Sequence, residues 1–401
     1  VAGARAATGG RSPAAAQGRG GVMARPIYLD YQATTPIDPA VAAAMQPFLA
    51  ERFGNPHSPH RYGWEADAAI DAARAQIGGL LGAAPETIVF TSGATEASNL
   101  ALKGVLTAPG QRRRRVVTVA TEHSCVLDTA EYLRELGAEL ALLGVDGDGL
   151  VRLDEVEAAI GEDAAIVSVM AVNNEIGVIQ PIAAIAELAR RAGAVMHCDA
   201  AQAFGKIPLD VEALGVDLLS LSGHKIYGPK GIGALYVRPG TRVAPQMHGG
   251  GQEGNGLRSG TLPTMLCVGL GKAADVAGAR MAADAAHART LWDRLLGGID
   301  VPYRINGSAT DRWHGNLNLA FPGVDGARLL SDLRELAVSA GAACASAKAK
   351  PSHVLAALGL PDALAKASLR IGWGRFTTEA EIDRAAAMIV AAVKAQGVRA
   401  A

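Results

Sequence analysis

Ser222-Gly223-His224-Lys225 follows the apolar run Val216 to Leu221, and the placement of its lysine decides how the chain is read. A lysine is normally kept in water. One held at the end of a buried strand has two readings: half of an ion pair, or an amine that bonds a carbonyl group as a Schiff base. Asp199, at the end of a second apolar run from Ala194 to Cys198, serves either reading. It can neutralise Lys225, or it can face a cationic ring that the lysine holds.

Outward from that turn, short apolar strands alternate with amphipathic helices. Strands are expected at Thr87–Thr91, Arg115–Ala120, Glu139–Leu143, Ala165–Met170, Ala194–Cys198, Leu218–Leu221 and Gly233–Val237. Helices are expected at Glu96–Leu106, Val126–Leu136, Ile182–Arg191 and Val211–Leu214. This rhythm implies an α/β fold, with a mostly parallel central sheet and helices on both faces. Ligands of such sheets bind beyond the carboxyl ends of strands. Lys225, Asp199, Thr91-Ser92-Gly93 and Asn173-Asn174 all fall just past strand ends, so the topology gathers them. A break is expected near residue 280. A smaller α+β unit follows it, with a helix at Ala282–Leu296, a strand at Asn316–Phe321, a helix near Gly326–Glu335 and a last helix from Thr378. The implied organisation is a tail over 1–22, a large unit over 35–279, and a small unit from 23–34 and 280–401.

The 401 residues are enough for two units and a well-buried core. A net charge of −1 gives no general attraction to nucleic acid or to acidic membranes. No run of 18 apolar residues suggests a membrane span. The cysteines Cys125, Cys198, Cys267 and Cys344 form no CxxC pair, which fits free thiols in a reducing compartment and no metal site in the isolated chain. Residues 1–25 are rich in Ala, Gly and Arg and hold no acid. They read as an unstructured tail, with an organellar transit peptide as the other reading. The run Arg112 to Arg115 reads as a solvated loop edge.

Ser92-Gly93-Ala94-Thr95-Glu96 opens a helix straight after a strand. Its amides suit either a phosphate or an ordinary cap. Beside an acid and a lysine at neighbouring strand ends, the phosphate reading is favoured. The three together suit pyridoxal 5'-phosphate (PLP), with Asp199 on the ring nitrogen and Lys225 on the aldehyde. His123 can lie over the ring and pass protons, or cap the helix after it. Gln202 can reach the ring oxygen, and Ser222 and His224 can add donors to the phosphate; each also suits a turn or cap. Cys344 sits among small residues, Ala340-Gly341-Ala342-Ala343-Cys344-Ala345-Ser346-Ala347, a setting suited to a mobile loop about 339–351 that carries a thiol. Arg370, in an apolar strand, can bind a carboxylate through two parallel donors or sit in an internal salt bridge.

Eight segments carry a resemblance in common order over about residues 27 to 385. They are Tyr28 to Pro36, Phe90 to Glu96, Val172-Asn173-Asn174-Glu175-Ile176-Gly177 and His197-Cys198-Asp199-Ala200-Ala201-Gln202. Ser222 to Gly231, Arg258-Ser259-Gly260-Thr261, Gly341 to Ser346 and Gly374-Arg375-Phe376-Thr377-Thr378 complete them. The chain resembles a group I cysteine desulfurase of the Isc/Nif type, within the class V enzymes of PLP fold type I. The resemblance implies that Lys225 bonds PLP and moves protons at the substrate α-carbon. It implies that Asp199 pairs with the ring nitrogen, that His123 stacks on the ring, and that Gln202 and Asn174 contact it. Ala94, Thr95, Ser222 and His224 would hold the phosphate. Thr261 would reach across a homodimer interface. Arg370, with Asn174, would bind L-cysteine, and Cys344 would take its sulfur as a persulfide, leaving L-alanine.

The resemblance also implies sulfur acceptors, such as an iron–sulfur scaffold or a relay for tRNA thiolation. Cys344 would then be a transient cluster ligand, in a cytoplasmic protein, or in the mitochondrial matrix if residues 1–22 are a transit peptide. Ala342 stands where the family has a serine two before the cysteine, and Ile371-Gly372-Trp373 replaces a Ser-containing version. Both departures touch the loop or the pocket shape. Selenocysteine lyase or another class V lyase or aminotransferase is the alternative enzyme, and a catalytically silent sulfur-assembly scaffold the alternative outside enzymes.

Overall fold

The computed structural model describes residues 25–340 and 352–398. The tail expected over 1–22 and the expected Cys344 loop, apart from its first two residues, lie outside them. Seven strands form the main sheet: β1 Ile88–Thr91, β2 Arg115–Val119, β3 Glu139–Leu143, β4 Ala164–Ser168, β5 Val195–Asp199, β6 Leu218–Ser222 and β7 Gly233–Val237. Their order is β1-β7-β6-β5-β4-β2-β3. Strand β7 runs antiparallel to β1 and β6, and every other pairing is parallel. This is the expected α/β fold, and β3 and β7 match their sequence-based bounds.

The period-two pattern of the strands sorts the core. Val116, Ile166, Leu218 and Leu235 join one cluster with helices α2 (Ala94–Leu106) and α3 (Ser124–Glu135). Val117, Val167, Leu219 and Ala234 join another with α1 (Arg61–Leu81), α4 (Leu153–Ile160) and α5 (Ile182–Ala192). Helices α1 and α4 were not expected. In α1 the buried positions Ile70, Ala73, Ile77 and Leu81 keep helical spacing, but alanines dilute the apolar signal.

Two expectations are corrected. The helix expected to start at Ala282, after a break near residue 280, instead starts at Thr264: one helix, α6, runs without interruption from Thr264 to Gly297. Its first half (Cys267, Leu270, Ala273, Ala274) packs in the main core. Its second half (Ala288, Leu291, Trp292, Leu295) packs in a second core with Leu317, Leu319, Leu369, Ile371 and the last helix, Glu379–Lys394. A lone Gly278 costs about 1 kcal/mol and does not end a helix held on both sides. A three-stranded sheet of β8 (Arg304–Ile305), β9 (Asn316–Ala320) and β10 (Ser368–Gly372) lies in that second core, with β9 in the middle.

The second correction concerns the arginine run, which is not merely solvated. Arg113 donates to Ala192 O at 2.7 Å, at the end of α5. Arg114 reaches Leu136 O at 3.2 Å, just past α3. Arg115 reaches Ala159 O at 3.3 Å, in the last turn of α4. Three successive cations thus cap three helix carboxyl ends, where backbone carbonyls lack partners and the dipole is negative.

Candidate active site

All the turns of interest leave the same edge of the sheet, because β1 runs in the same direction as β2 to β6. There they enclose a cavity of about 520 Å³ lined by Ala94, Thr95, His123, Asn174, Asp199, Gln202, Ser222, His224, Lys225 and Arg370. Of the expected residues, Thr261 is exposed and does not line it. Cys344 lies outside the described residues.

At one end is the start of α2. Gly93 is its N-cap, and no side chain caps the helix. Gly93 has φ 156°, and a Cβ on the facing Gly233 would come within 2.6 Å of Gly93 Cα. Glycine at 233 therefore lets the turn approach β7. The Ser92 amide is taken by Glu96 at 2.7 Å, and Glu96 is held in turn by Arg258 at 2.9 Å. Ala94 and Thr95 line the cavity at an uncapped helix start, the usual seat of a phosphate. His224 Nδ1 lies 3.2 Å from Thr34 Oγ1, and burial followed by the nearby Lys225 brings its pKa down to about 4. It is a neutral donor at physiological pH.

At the other end is Asp199, 3% exposed. Its Oδ1 accepts the Ala201 amide at 2.8 Å, and among the described residues it has no ion-pair partner. Burial raises its pKa. A buried acid without a cation is costly unless a charged partner arrives, as a protonated ring nitrogen would. Directly below, His197 bridges Ser168 and Ser220 at 2.8 Å each, tying β4, β5 and β6 together.

Lys225 makes no ion pair with Asp199, so the ion-pair reading of the opening motif fails. Its ammonium donates instead to the carbonyls of Gln32 and, at 3.0 Å, Ala33. Burial first, then Arg370, pulls its pKa down to about 8, against the opposing pull of Asp199 and Asp30. An amine held on neutral carbonyls and partly desolvated is prepared for nucleophilic use.

The remaining residues combine both readings offered for them. His123 caps α3, its Nδ1 accepting the Cys125 amide at 3.1 Å, and it also lines the cavity. That bond leaves the ring proton on Nε2. Gln202 donates to Gln32 O at 2.9 Å and accepts from Lys206 at 2.8 Å. Arg370 is 2% exposed and pairs with Asp30 at 2.8 Å, yet its Nε meets no acceptor among the described residues. Asn174 borders the cavity, and its carbonyl accepts from Asn316 at 3.2 Å.

Nothing in the sequence singles out Asp30, Gln32, Ala33 or Glu175 as individual site residues. Gln32 and Ala33 act through backbone carbonyls, which no side-chain pattern reveals. An amide cradle, a buried unpaired acid and a softened lysine in one cavity match the phosphate, ring nitrogen and aldehyde of PLP.

The profile of the aminotransferase class-V family matches residues 27–385. The cysteine desulfurase IscS of Rickettsia akari (strain Hartford) is 50% identical over 370 residues, covering 91% of this chain and 90% of that protein. The same enzyme of Rickettsia felis gives equal figures. Among solved structures, a NifS-like protein superposes with a TM-score of 0.86 at 35% identity, over 92% of this chain and 99% of that one. SspA in complex with cysteine does so at 0.80 and 38% identity, over 88% and 99%.

Proposed function

The chain belongs to the PLP-dependent class-V aminotransferase family, and from that premise we propose that it is a cysteine desulfurase, releasing L-alanine from L-cysteine and keeping the sulfur as a persulfide on Cys344. The observation that carries this reading is the pair Lys225 and Asp199, which share one cavity without neutralising each other.

PLP, when bound, supplies an electron sink for bond changes at the substrate's carbons. Ala94, Thr95, Ser222 and His224 would hold its phosphate, Asp199 its ring nitrogen, and Lys225 its aldehyde, with His123, Asn174 and Gln202 around the ring. Lys225, close to neutrality in pKa, takes the substrate's α-proton and returns a proton to carbon. Arg370 orients the substrate carboxylate, with Asn174 beside it. His123 offers the proton on Nε2 to the cavity.

The sulfur step is redox-neutral. The Cys344 thiolate bonds the substrate sulfur as the C–S bond breaks. The electron pair of that bond passes to carbon, which is protonated to give alanine. The remaining cysteines suit this role poorly. Burial raises the thiol pKa of Cys125 and Cys198 and brings Cys267 up to about 12.

The chain would act as a homodimer in which Thr261 reaches the neighbouring site. It would pass sulfur to an iron–sulfur scaffold or a tRNA-thiolation relay in the cytoplasm. Residues 35–279 would form the cofactor-binding unit, and 23–34 with 280–401 the smaller one. No described helix is long and apolar enough to cross a membrane.

Incubation with L-cysteine and a reductant is expected to yield alanine and sulfide in equal amounts; a keto acid product would establish transamination instead. Cys344→Ser is expected to retain PLP but to carry no extra sulfur by mass spectrometry. Sulfur found on another cysteine of the parent protein would reassign the carrier.

A further inference from the structure

We propose that Ser352 and His353 are positioning residues that fix where the chain carrying Cys344 returns to the cavity. The proposal rests on the desulfurase reading above and adds a mechanical part to it. Ser352 Oγ donates to Glu175 Oε2 at 2.5 Å. The next residue, His353, donates from Nε2 to the carbonyl of Glu122 at 2.9 Å. Glu175 directly follows Asn174, and Glu122 directly precedes His123. Two adjacent side chains thus clip the returning chain to the neighbours of the two residues assigned to the cofactor ring.

The anchors themselves are fixed. Glu175 is 1% exposed; its amide donates to Asn173 Oδ1 at 2.8 Å and its carbonyl accepts from Asn318 at 3.2 Å. Among the described residues the Ser352 hydroxyl is the hydrogen-bond donor to its carboxylate, and no ion pair competes for it. Glu122 is fully buried, and its Oε1 accepts the Met170 amide at 2.6 Å. Behind the clip, Ser352 caps the helix His353–Ala357 by accepting from the Val354 and Leu355 amides. Val354 and Leu355 then pack against Ile176 and Val178, in the same loop that holds Asn174.

The chain leaves the site just as firmly. Ser339 exchanges backbone hydrogen bonds with Arg370, at 2.7 Å and 3.2 Å. Cys344 follows Ser339 by five residues and precedes Ser352 by eight, so a fully extended chain keeps it within about 18 Å of the first and about 29 Å of the second. Loss of the clip lengthens the tether on one side only. It should slow sulfur capture without touching the chemistry at the α-carbon.

The test uses the holoenzyme and two readouts. Exchange of the α-proton of L-alanine in heavy water reports the chemistry at the α-carbon and needs no sulfur capture by Cys344. Persulfide formation on Cys344 in a single turnover, followed by mass spectrometry, reports sulfur capture. In Ser352→Ala/His353→Phe, exchange is expected to stay within roughly twofold of the parent, and persulfide formation to slow by about tenfold, as small misplacements do. His353→Gln, which keeps an amide donor at the Nε2 position, is expected to be faster than His353→Phe. As a separate check on the clip in the same holoenzyme, backbone amides of His353–Ala357 are expected to lose protection against hydrogen exchange in the double variant.

An unchanged persulfide rate despite that lost protection overturns the proposal. So does His353→Gln as slow as His353→Phe, because the imidazole would then be doing chemistry. A parallel fall of both readouts overturns it as well. Absence of α-proton exchange in the parent protein would sink the PLP reading beneath it, a result distinct from the others.

Discussion

The floor and the rim of the cavity are built by different physics. On the floor, Asp199, Ser222 and the start of α2 sit at the ends of buried strands whose every neighbour is hydrogen-bonded. Their positions are set by the sheet, and His197 locks three strands beneath them. On the rim, Ser339, Ser352 and His353 hold the chain around Cys344 through a backbone exchange and two side-chain hydrogen bonds. The difference matches the two tasks proposed for them. Holding a ring and moving a proton demand fixed geometry. A sulfur carrier must reach both substrate and acceptor, which a tether allows and a strand end does not.

Lys225→Ala should show the largest effect if the floor carries the carbon chemistry. Turnover should fall by about 10³-fold or more, since both covalent attachment and proton transfer are lost, and the cofactor absorption band should shift. An active variant with an unshifted band would break the comparison at its foundation.

Asp199→Asn keeps the shape of the floor but removes its charge. Turnover should fall by about 10²-fold, the scale of losing one preorganised electrostatic contact, with weaker retention of PLP on dialysis. A loss confined to sulfur capture, with α-proton exchange intact, would move Asp199 from floor to rim in function.

The mildest test is pH. Lys225 must be neutral to attack an aldehyde. Its pKa is lowered from the ordinary 10.5 to about 8, so the neutral fraction of the folded protein rises through about pH 8. PLP uptake by the cofactor-free protein should therefore accelerate up to that region and level off above it. Uptake that keeps climbing towards pH 10.5 would mean that the lysine is not desolvated.

The floor was far more legible in the sequence than the rim. Strands at Glu139–Leu143 and Gly233–Val237 announce themselves because buried parallel strands are continuous apolar runs bounded by polar turns. Asp199 and Lys225 stood out because a charge at the end of such a run needs a reason. The alanine-rich helix Arg61–Leu81 gave a faint signal, and the continuity of α6 through residue 280 was not legible, because small residues lie where its packing partners change. The arginine run looked like loop charge because its acceptors, the carbonyls of Ala192, Leu136 and Ala159, are distant in sequence. The clip of Ser352 and His353 was invisible for the same reason: a hydroxyl and a carbonyl acceptor form no periodicity.

The sequence by itself determined the sheet, the order of its turns and the chemical kinds placed at their ends, because apolar periodicity and local turn preferences act over a few neighbouring residues. Tertiary structure alone decided that Lys225 rests on the carbonyls of Gln32 and Ala33 instead of on Asp199, that Arg370 pairs with Asp30, and that Glu122 and Glu175 anchor the rim. Those choices join residues far apart along the chain. They depend on which donors and acceptors burial leaves without water, and that is fixed only when the whole core has closed.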